Sequence, residues 1–238
     1  MIPLSRPMLG EDEERAVRRV LASGRLAQGP EVDAFEEEFS SLVSGRHCVA
    51  VSSATSGLHV ALLASGIGPG DEVIVPSFTF AATVNAVRLV GAEPVFVDID
   101  AATFCVDPVA VEAAVSRRTA AVLPVHLYGH PAALHELRAI AARNGLLLIE
   151  DAAQAHMAGL DGRPVGTWGD LAVFSFYATK NMTTGEGGMV TTAEAGMARR
   201  LRQLRSQAVG DHLLQAIERV AGGHWFARHS SAMDLDRQ

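Results

Sequence analysis

Apolar and polar positions follow two different periods along the chain. Near the N-terminus apolar residues recur at helical spacing, which predicts amphipathic helices over residues 11–22 and 30–43. From residue 47 onward short apolar runs alternate with helical patterns. The apolar runs predict strands over residues 47–51, 72–75, 93–97, 120–125, 146–149, 172–176 and 189–192. The helical patterns cover residues 58–64, a segment ending near 89, and residues 108–115, 131–143 and 194–205.

Alternation of strands and helices indicates an α/β protein with three layers, α/β/α, built on a mostly parallel sheet with helices on both faces. In such sheets ligands bind beyond the carboxyl ends of the strands. Small, polar or aromatic residues lie at or just after the carboxyl ends of predicted strands at 52–55, 78–80, Asp151 and Ser175. The sequence therefore predicts a functional site at this edge of the sheet.

Length and composition limit the class of protein. The 238 residues suffice for one large α/β domain or two small ones, and 48% hydrophobic with 20% charged residues is typical of a globular protein with a sizeable core. No apolar run approaches the roughly 20 residues that span a bilayer, and no secretory signal is visible. We therefore expect a cytoplasmic protein that is not embedded in a membrane, with Cys48 and Cys105 as buried free thiols.

Charge and histidine spacing argue against two kinds of ligand. The net charge is −7 and no basic stripe is visible, so nucleic acid is not expected as a partner. His212, His224 and His229 do not have the spacing of a common metal site, and no metal is expected.

One lysine is placed for chemistry. Lys180 lies in a loop rich in Thr, Asn and Gly between two apolar strands, where partial desolvation would lower its pKa. A free amine can form a Schiff base with an aldehyde, although an isolated loop lysine is more often simply solvated. Asp151 follows a very apolar strand, so its carboxylate needs a cationic or hydrogen-bonding partner there, unless it only caps the next helix.

Four other residues could complete a ligand site. The small residues Ala54 and Thr55 open a helix and could bind an anion, or could be part of an ordinary helix cap. Phe80 could stack on a flat ring or pack in the core, and Ser175 could be a second anion ligand. Pyridoxal phosphate would use all of these groups at once, through its aldehyde, pyridine nitrogen, ring and phosphate.

Three motifs in order carry a specific resemblance: EDAAQAH at 150–156, FSFYATKN at 174–181 and GEGG at 185–188. With GDEVIVP at 70–76 and PVHLYG at 124–129, they resemble the DegT/DnrJ/EryC1/StrS aminotransferases, and the resemblance extends to about residue 205. That family implies a fold-type I pyridoxal phosphate enzyme that transfers an amino group from glutamate or glutamine to a keto-sugar, usually nucleotide-linked. It also implies a homodimer.

The resemblance assigns a role to each candidate residue. Lys180 resembles the Schiff-base lysine, Asp151 the partner of the pyridinium nitrogen, and Gln154 the residue beside the phenolic oxygen. The stacking aromatic and the phosphate contacts are, by resemblance, Phe80, Ala54 through its backbone, Thr55 and Ser175. The chain departs from the family at Ala178, where proline is common, and at Met157, where glycine usually follows the histidine.

The domain organisation also departs from the family. We expect a large cofactor-binding domain over residues 1–206, with a helical N-terminal segment over 1–45, and a divergent tail over 207–238. The usual small C-terminal domain is expected to be absent or truncated. Two functions remain open at this point. One is a sugar aminotransferase; the other is a truncated remnant that binds pyridoxal phosphate or dimerises without turnover.

Overall fold

A seven-stranded sheet with helices on both faces is the framework of the computed structural model, which describes residues 5–206. The helices are α1 (Glu11–Ser23), α2 (Pro30–Leu42), α3 (Ala54–Ala64), α4 (Ala81–Leu89), α5 (Pro108–Ala114), α6 (Leu134–Asn144) and α7 (Ala195–Arg205), with a 3₁₀ turn at Leu127–Gly129. The strands are β1 (His47–Val51), β2 (Glu72–Pro76), β3 (Glu93–Val97), β4 (Thr119–Val122), β5 (Leu147–Asp151), β6 (Gly159–Leu160), β7 (Arg163–Pro164), β8 (Leu171–Ser175) and β9 (Gly188–Thr192). The predicted tail and its histidines lie outside the described residues.

The order of strands in the main sheet is β1-β9-β8-β5-β4-β2-β3. Strand β9 is antiparallel to both of its neighbours, whereas the other pairings in this sheet are parallel. Strands β6 and β7 form a separate antiparallel pair that the sequence pattern did not predict. The predicted α/β class with a mostly parallel sheet is confirmed.

Two apolar layers, one on each face of the sheet, hold the helices in place. On one face Phe39 of α2 packs edge-on against Phe174 of β8, with ring centroids 5.0 Å apart. On the other face α3 lies directly on the strands, because Gly57 has no side chain. A Cβ atom at Gly57 would stand 2.8 Å from a methyl carbon of Val173. Side chains alternate along β8, so Val173 faces α3 while Phe174 faces α2.

The ends of several elements differ from the sequence prediction, and two of these differences place site residues. Strand β5 continues to Asp151 instead of ending at residue 149, because the Asp151 N–H bonds to the Pro124 carbonyl at 2.9 Å. Helix α3 begins at Ala54 instead of residue 58. Both differences bring a site residue into a regular element, where its backbone is fixed.

Two further observations bear on the composition. Cys48 and Cys105 are buried free thiols, as the sequence predicted. Among residues 5–206 no helix has both the length and the apolar character needed to cross a bilayer.

Candidate active site

A cavity of about 540 Å³ opens at the carboxyl ends of β5 and β8. It lies where the sequence predicted a site, beyond the strand ends of a largely parallel sheet. The structure brings all of the predicted site residues to its wall: Ala54, Thr55, Phe80, Asp151, Gln154, Ser175 and Lys180. Thr79, Thr83, Tyr177 and Glu186 are further polar or aromatic residues in the wall.

Lys180 is carried by the loop that connects β8 to β9. The loop is closed at its base by hydrogen bonds from the Phe176 N–H to the Gly187 carbonyl at 2.9 Å and from the Thr184 N–H to the Phe176 carbonyl at 3.0 Å. The lysine is half-buried, and burial lowers its pKa below the ordinary lysine value, with the charge of Asp151 acting in the opposite direction. The desolvation expected from the sequence is therefore present.

Asp151 is a buried carboxylate at the last position of β5. Its Oδ2 accepts a hydrogen bond from the Thr83 hydroxyl at 2.8 Å, and its Oδ1 accepts one from the Ala153 N–H at 3.1 Å. Burial raises the pKa of Asp151, and these two donors oppose the rise without cancelling it. The carboxylate thus faces a cavity in which a cationic partner would stabilise its charged form.

The hydroxyl of Thr83 connects Asp151 to a second threonine. Thr83 donates its single hydroxyl proton to Asp151, so its contact with the Thr79 hydroxyl at 2.9 Å must be one in which Thr79 donates. Sequence reasoning missed Thr83, because a threonine inside a helix gives no signal of a partner so distant in the chain.

The N-terminus of α3 points its first N–H groups toward the cavity. Ser53 and Ser56 cap each other reciprocally, with the Ser56 N–H donating to the Ser53 Oγ at 3.1 Å and the Ser53 N–H to the Ser56 Oγ at 3.0 Å. The N–H groups of Ala54 and Thr55 have no intrahelical acceptor, because they belong to the first turn. They are therefore free to bind an anion at the positive end of the helix dipole.

Gly188 allows this helix end to sit beside Ser175. In the sheet register Gly188 lies between Val51 and Ser175, and a Cβ atom at Gly188 would stand 2.6 Å from the Ser53 carbonyl carbon and 2.8 Å from the Ala54 nitrogen. Such distances are too short for any real side chain. The last glycine of the GEGG motif is thus required by the close approach of α3, and it places the Ser175 hydroxyl next to the helix start.

Gln154 and Phe80 supply the remaining parts of the wall. The side-chain oxygen of Gln154 accepts a hydrogen bond from the Tyr128 N–H at 2.7 Å, so the amide group turns its NH₂ away from that donor. Phe80 caps α4 and is 79% exposed, which leaves a ring face free for stacking.

A sequence model of the DegT/DnrJ/EryC1/StrS aminotransferase family matches residues 7–224. The chain belongs to this family. The match covers nearly the whole chain and extends past residue 205, where the motif resemblance ended.

Solved structures of related proteins superpose closely on this chain. DesV from S. venezuelae is 48% identical, with a TM-score of 0.81, and the alignment covers 83% of this chain and 53% of DesV. DesI is 43% identical with a TM-score of 0.82, covering 87% of this chain and 53% of DesI. Spr1654 from Streptococcus pneumoniae, in its PMP-form, is 32% identical with a TM-score of 0.82, covering 85% of this chain and 56% of Spr1654. The chain therefore spans about half the length of these relatives.

One departure from the family pattern has a visible backbone consequence. Met157 stands where the family commonly has glycine, and its φ of 62° lies in the left-handed region that favours glycine. Its side chain is 75% exposed and lies outside the wall of the large cavity. Met157 is therefore held in a strained backbone conformation, and its side chain forms no part of the wall of that cavity.

Proposed function

We propose that this chain is a pyridoxal phosphate-dependent aminotransferase that converts a nucleotide-linked keto-sugar into an amino sugar, with glutamate or glutamine as amino donor. The observation that supports this most directly is the meeting of Lys180, Asp151 and the start of α3 in one cavity. Spr1654 is known in a PLP-form and a PMP-form, and DesI was crystallised in the presence of its TDP-sugar product. These relatives support the cofactor and the substrate class.

The residues of the cavity fit the cofactor. The free N–H groups of Ala54 and Thr55, with the Ser175 hydroxyl, would hold its phosphate, and Phe80 would cover one face of its ring. Asp151 would hold the pyridine nitrogen in its protonated form, and the Gln154 NH₂ would donate to the phenolic oxygen. When bound, the cofactor supplies an aldehyde to which an amine can bond and a ring that takes up electron density from the substrate.

Lys180 is the proton carrier in this proposal. Its lowered pKa leaves a larger fraction of free amine near neutral pH than an exposed lysine has. A free Nζ could take a proton from the substrate carbon that bears the amino group and hold it for the return transfer. Asp151 lines the same cavity as this lysine, so both groups would reach one bound ring.

We also propose that the protein works as a homodimer in the cytoplasm. Helix α1 has no buried residue, and its apolar Val17 and Leu21 are 58% and 63% exposed. Phe80 and Tyr128 are 79% and 78% exposed near the large cavity. A second copy that covered these side chains would remove an exposed apolar surface from water. The two free thiols are consistent with a reducing compartment.

The sequence makes the cofactor assignment unusually easy to test, because Lys180 is its only lysine. We expect the purified protein with pyridoxal phosphate to absorb in the visible, and borohydride reduction to leave the label on the peptide that contains Lys180. Lys180→Ala should lose both the absorption and the label. The N-terminal amine is an internal control in the same mass spectrum. Failure of the wild-type protein to bind pyridoxal phosphate at saturation would exclude the proposed function.

A single-turnover measurement separates the enzyme from the alternative of a cofactor binder without turnover. A single addition of glutamate should change the absorption of the bound cofactor, because the first half of the cycle would transfer the amino group of glutamate to it. An unchanged spectrum, in a protein that does bind the cofactor, would favour the non-catalytic alternative.

A further inference from the structure

A buried histidine–glutamate pair lies behind the cavity. His126 and Glu150 have no exposed surface, and the His126 Nε2 lies 3.0 Å from a carboxylate oxygen of Glu150. The other ring nitrogen, Nδ1, accepts a hydrogen bond from the Ala132 N–H at 3.0 Å. An acceptor nitrogen carries no proton, so the imidazole is neutral and donates to Glu150 through Nε2–H. Glu150 precedes Asp151 on β5, so the two carboxylates point to opposite faces of the sheet.

Glu150 is held rigidly by its surroundings. Besides His126, its carboxylate accepts three backbone N–H groups at 2.7 to 2.9 Å, those of Gly166, Trp168 and Gly169. Burial alone would raise the pKa of Glu150, but His126 and the backbone donors hold it below its usual value. The glutamate is therefore a fixed charged acceptor, and whatever hydrogen-bonds to it is fixed as well.

His126 begins a turn, residues 126–129, that runs along the site. The His126 N–H donates to the Asp151 carbonyl at 3.0 Å, and the Tyr128 N–H donates to the side-chain oxygen of Gln154 at 2.7 Å. One end of the 126–129 turn thus touches the backbone of Asp151, and the other sets the direction of the Gln154 amide.

The backbone of the 126–129 turn is strained. Tyr128 has φ of 52° and Gly129 has φ of 86°, and a left-handed tyrosine is unfavourable unless its surroundings hold it. The Tyr128 side chain is 78% exposed, so it contributes little to holding the turn. Two buried side chains anchor the turn: Leu127 packs in the apolar core, and His126 makes directed hydrogen bonds through both ring nitrogens.

We propose that the His126–Glu150 pair is a positioning device for the cofactor site: it holds the 126–129 turn in its strained form, so that the Tyr128 N–H keeps the NH₂ of Gln154 directed into the cavity. This inference rests on the proposed function, because it assigns the Gln154 NH₂ to the phenolic oxygen of pyridoxal phosphate. Without the pair the turn relaxes and the amide is free to rotate. The site then loses the Gln154 N–H donor that would stabilise negative charge on the phenolic oxygen.

Two variants test the proposal from different sides. His126→Gln keeps an NH₂ near Glu150 but loses the Nδ1 acceptor for Ala132. Gly129→Ala leaves the buried pair untouched and disturbs the turn, because φ there is 86° and a Cβ would stand 3.1 Å from the Gln154 carbonyl. His135→Gln is the matched control, since His135 forms an exposed pair with Asp161 at 2.8 Å.

The measurements are the dissociation constant for pyridoxal phosphate, the pH midpoint of the absorption change of the bound cofactor, and the unfolding temperature, all on the full chain. We expect both turn variants to bind the cofactor roughly tenfold more weakly, comparable to losing an outer-shell partner at a metal site. We also expect both to shift the pH midpoint upward, because the phenolate has lost a donor. His135→Gln should match the wild type.

The outcomes separate this proposal from the proposed function. If both variants bind as the wild type does with an unchanged midpoint, or only their unfolding temperature falls, the positioning role is wrong and the function stands. If His126→Gln does not fold, a Gly129→Ala variant that binds as the wild type does still overturns the proposal, because the 126–129 turn would then not position Gln154. If the wild-type protein binds no pyridoxal phosphate, both proposals fail.

Discussion

At the scale of single residues, the ionisation of Asp151 is the property on which the site depends most. A buried carboxylate is costly unless it is paired or hydrogen-bonded, and Asp151 has two protein donors, from Thr83 and Ala153. Burial still raises its pKa. A protonated pyridine nitrogen would provide the positive charge that the Asp151 carboxylate lacks among its protein partners. Because the Thr83 hydroxyl also stabilises the charged form of Asp151, Thr83 should matter for function.

Thr83→Val tests that importance, since valine keeps the shape and removes the hydroxyl donor. Loss of a hydrogen bond to a buried charged group costs about 1–3 kcal/mol, which is roughly 5- to 150-fold in affinity for pyridoxal phosphate. The pKa of Asp151 should rise further. Binding requires its charged form, so affinity should begin to fall at a higher pH as the solution is acidified. The measurement is the dissociation constant as a function of pH.

Thr79→Val is the comparison variant for Thr83→Val. It removes the next hydroxyl in the same chain of hydrogen bonds, one bond further from the carboxylate. Its effect should have the same sign and be smaller. Equal affinities for Thr83→Val and wild type at all pH values would contradict the role given to Thr83.

The pH dependence of Lys180 gives a second residue-scale prediction. Only the free amine reacts with trinitrobenzenesulfonate, so reactivity rises with pH through the pKa of the lysine. We expect a midpoint below that of an exposed lysine, because burial lowers the pKa. Asp151→Asn should lower the midpoint further, since the charge of Asp151 raises it. Glu186→Gln, which changes another carboxylate in the cavity wall, should leave the midpoint unchanged.

Sequence reasoning found the residues whose chemistry is distinctive and missed those whose role depends on contact. Lys180, Asp151 and Gln154 belong to motifs with characteristic spacing, so they could be named. The roles of Thr83 and His126 depend on partners in other segments, Asp151 and Glu150, and no local pattern predicts such a pair. Glu150 was visible inside a motif, but its bonds to the 166–169 loop were not.

At the scale of elements, the proposed anion subsite depends on how closely α3 approaches the sheet. Gly57 allows the body of the helix to lie on β8, and Gly188 allows its first residues to meet the start of β9. The antiparallel direction of β9 could not be predicted, because the pattern of an apolar run does not indicate in which direction the strand runs through the sheet. The boundaries of α3 and β5 were also misjudged. A hydrogen bond to Pro124 extends β5, and the reciprocal cap between Ser53 and Ser56 starts α3 at Ala54.

Gly188→Ala should move the start of α3 and weaken the phosphate site selectively. A new methyl group in a tight contact costs about 1–3 kcal/mol of stability. Loss of the helix-start contacts costs up to about 2 kcal/mol of anion binding. We expect the preference for pyridoxal phosphate over pyridoxal to narrow by roughly tenfold. The check is a pair of binding titrations.

Gly196→Ala is the control for Gly188→Ala. Gly196 lies in α7, and a Cβ there would meet only an arginine side-chain nitrogen at 3.9 Å, which is an ordinary contact. The Gly196→Ala variant should prefer pyridoxal phosphate over pyridoxal as strongly as the wild type does. The anion subsite would be misplaced if Gly188→Ala retained the full preference while remaining folded.

At the scale of the whole molecule, the unburied apolar face of α1 is the feature that the described residues do not explain. A helix of thirteen residues with none buried gains little from its own chain. The motifs identified the family, but association depends on which surface meets a second copy. That surface could not be predicted from periodicity alone, because an amphipathic pattern does not say what covers it.

Leu21→Glu tests whether a second copy covers this face. We expect the wild-type protein to sediment as a dimer and Leu21→Glu to shift toward monomer, because a carboxylate would be desolvated in the interface. Ala22→Glu introduces the same side chain about 100° further round the helix and should stay dimeric. A monomeric wild type, or identical sedimentation of the two variants, would contradict the role of α1.

The antiparallel direction of β9 has a consequence for the loop that carries Lys180. Adjacent antiparallel strands can be joined directly, whereas a parallel neighbour would need a crossover passing over the sheet. The segment between β8 and β9 therefore leaves and re-enters the sheet at one edge, and its closure entropy changes by only about 0.6 kcal/mol for each doubling of length. Insertions there should be tolerated by the fold while they shift the amine.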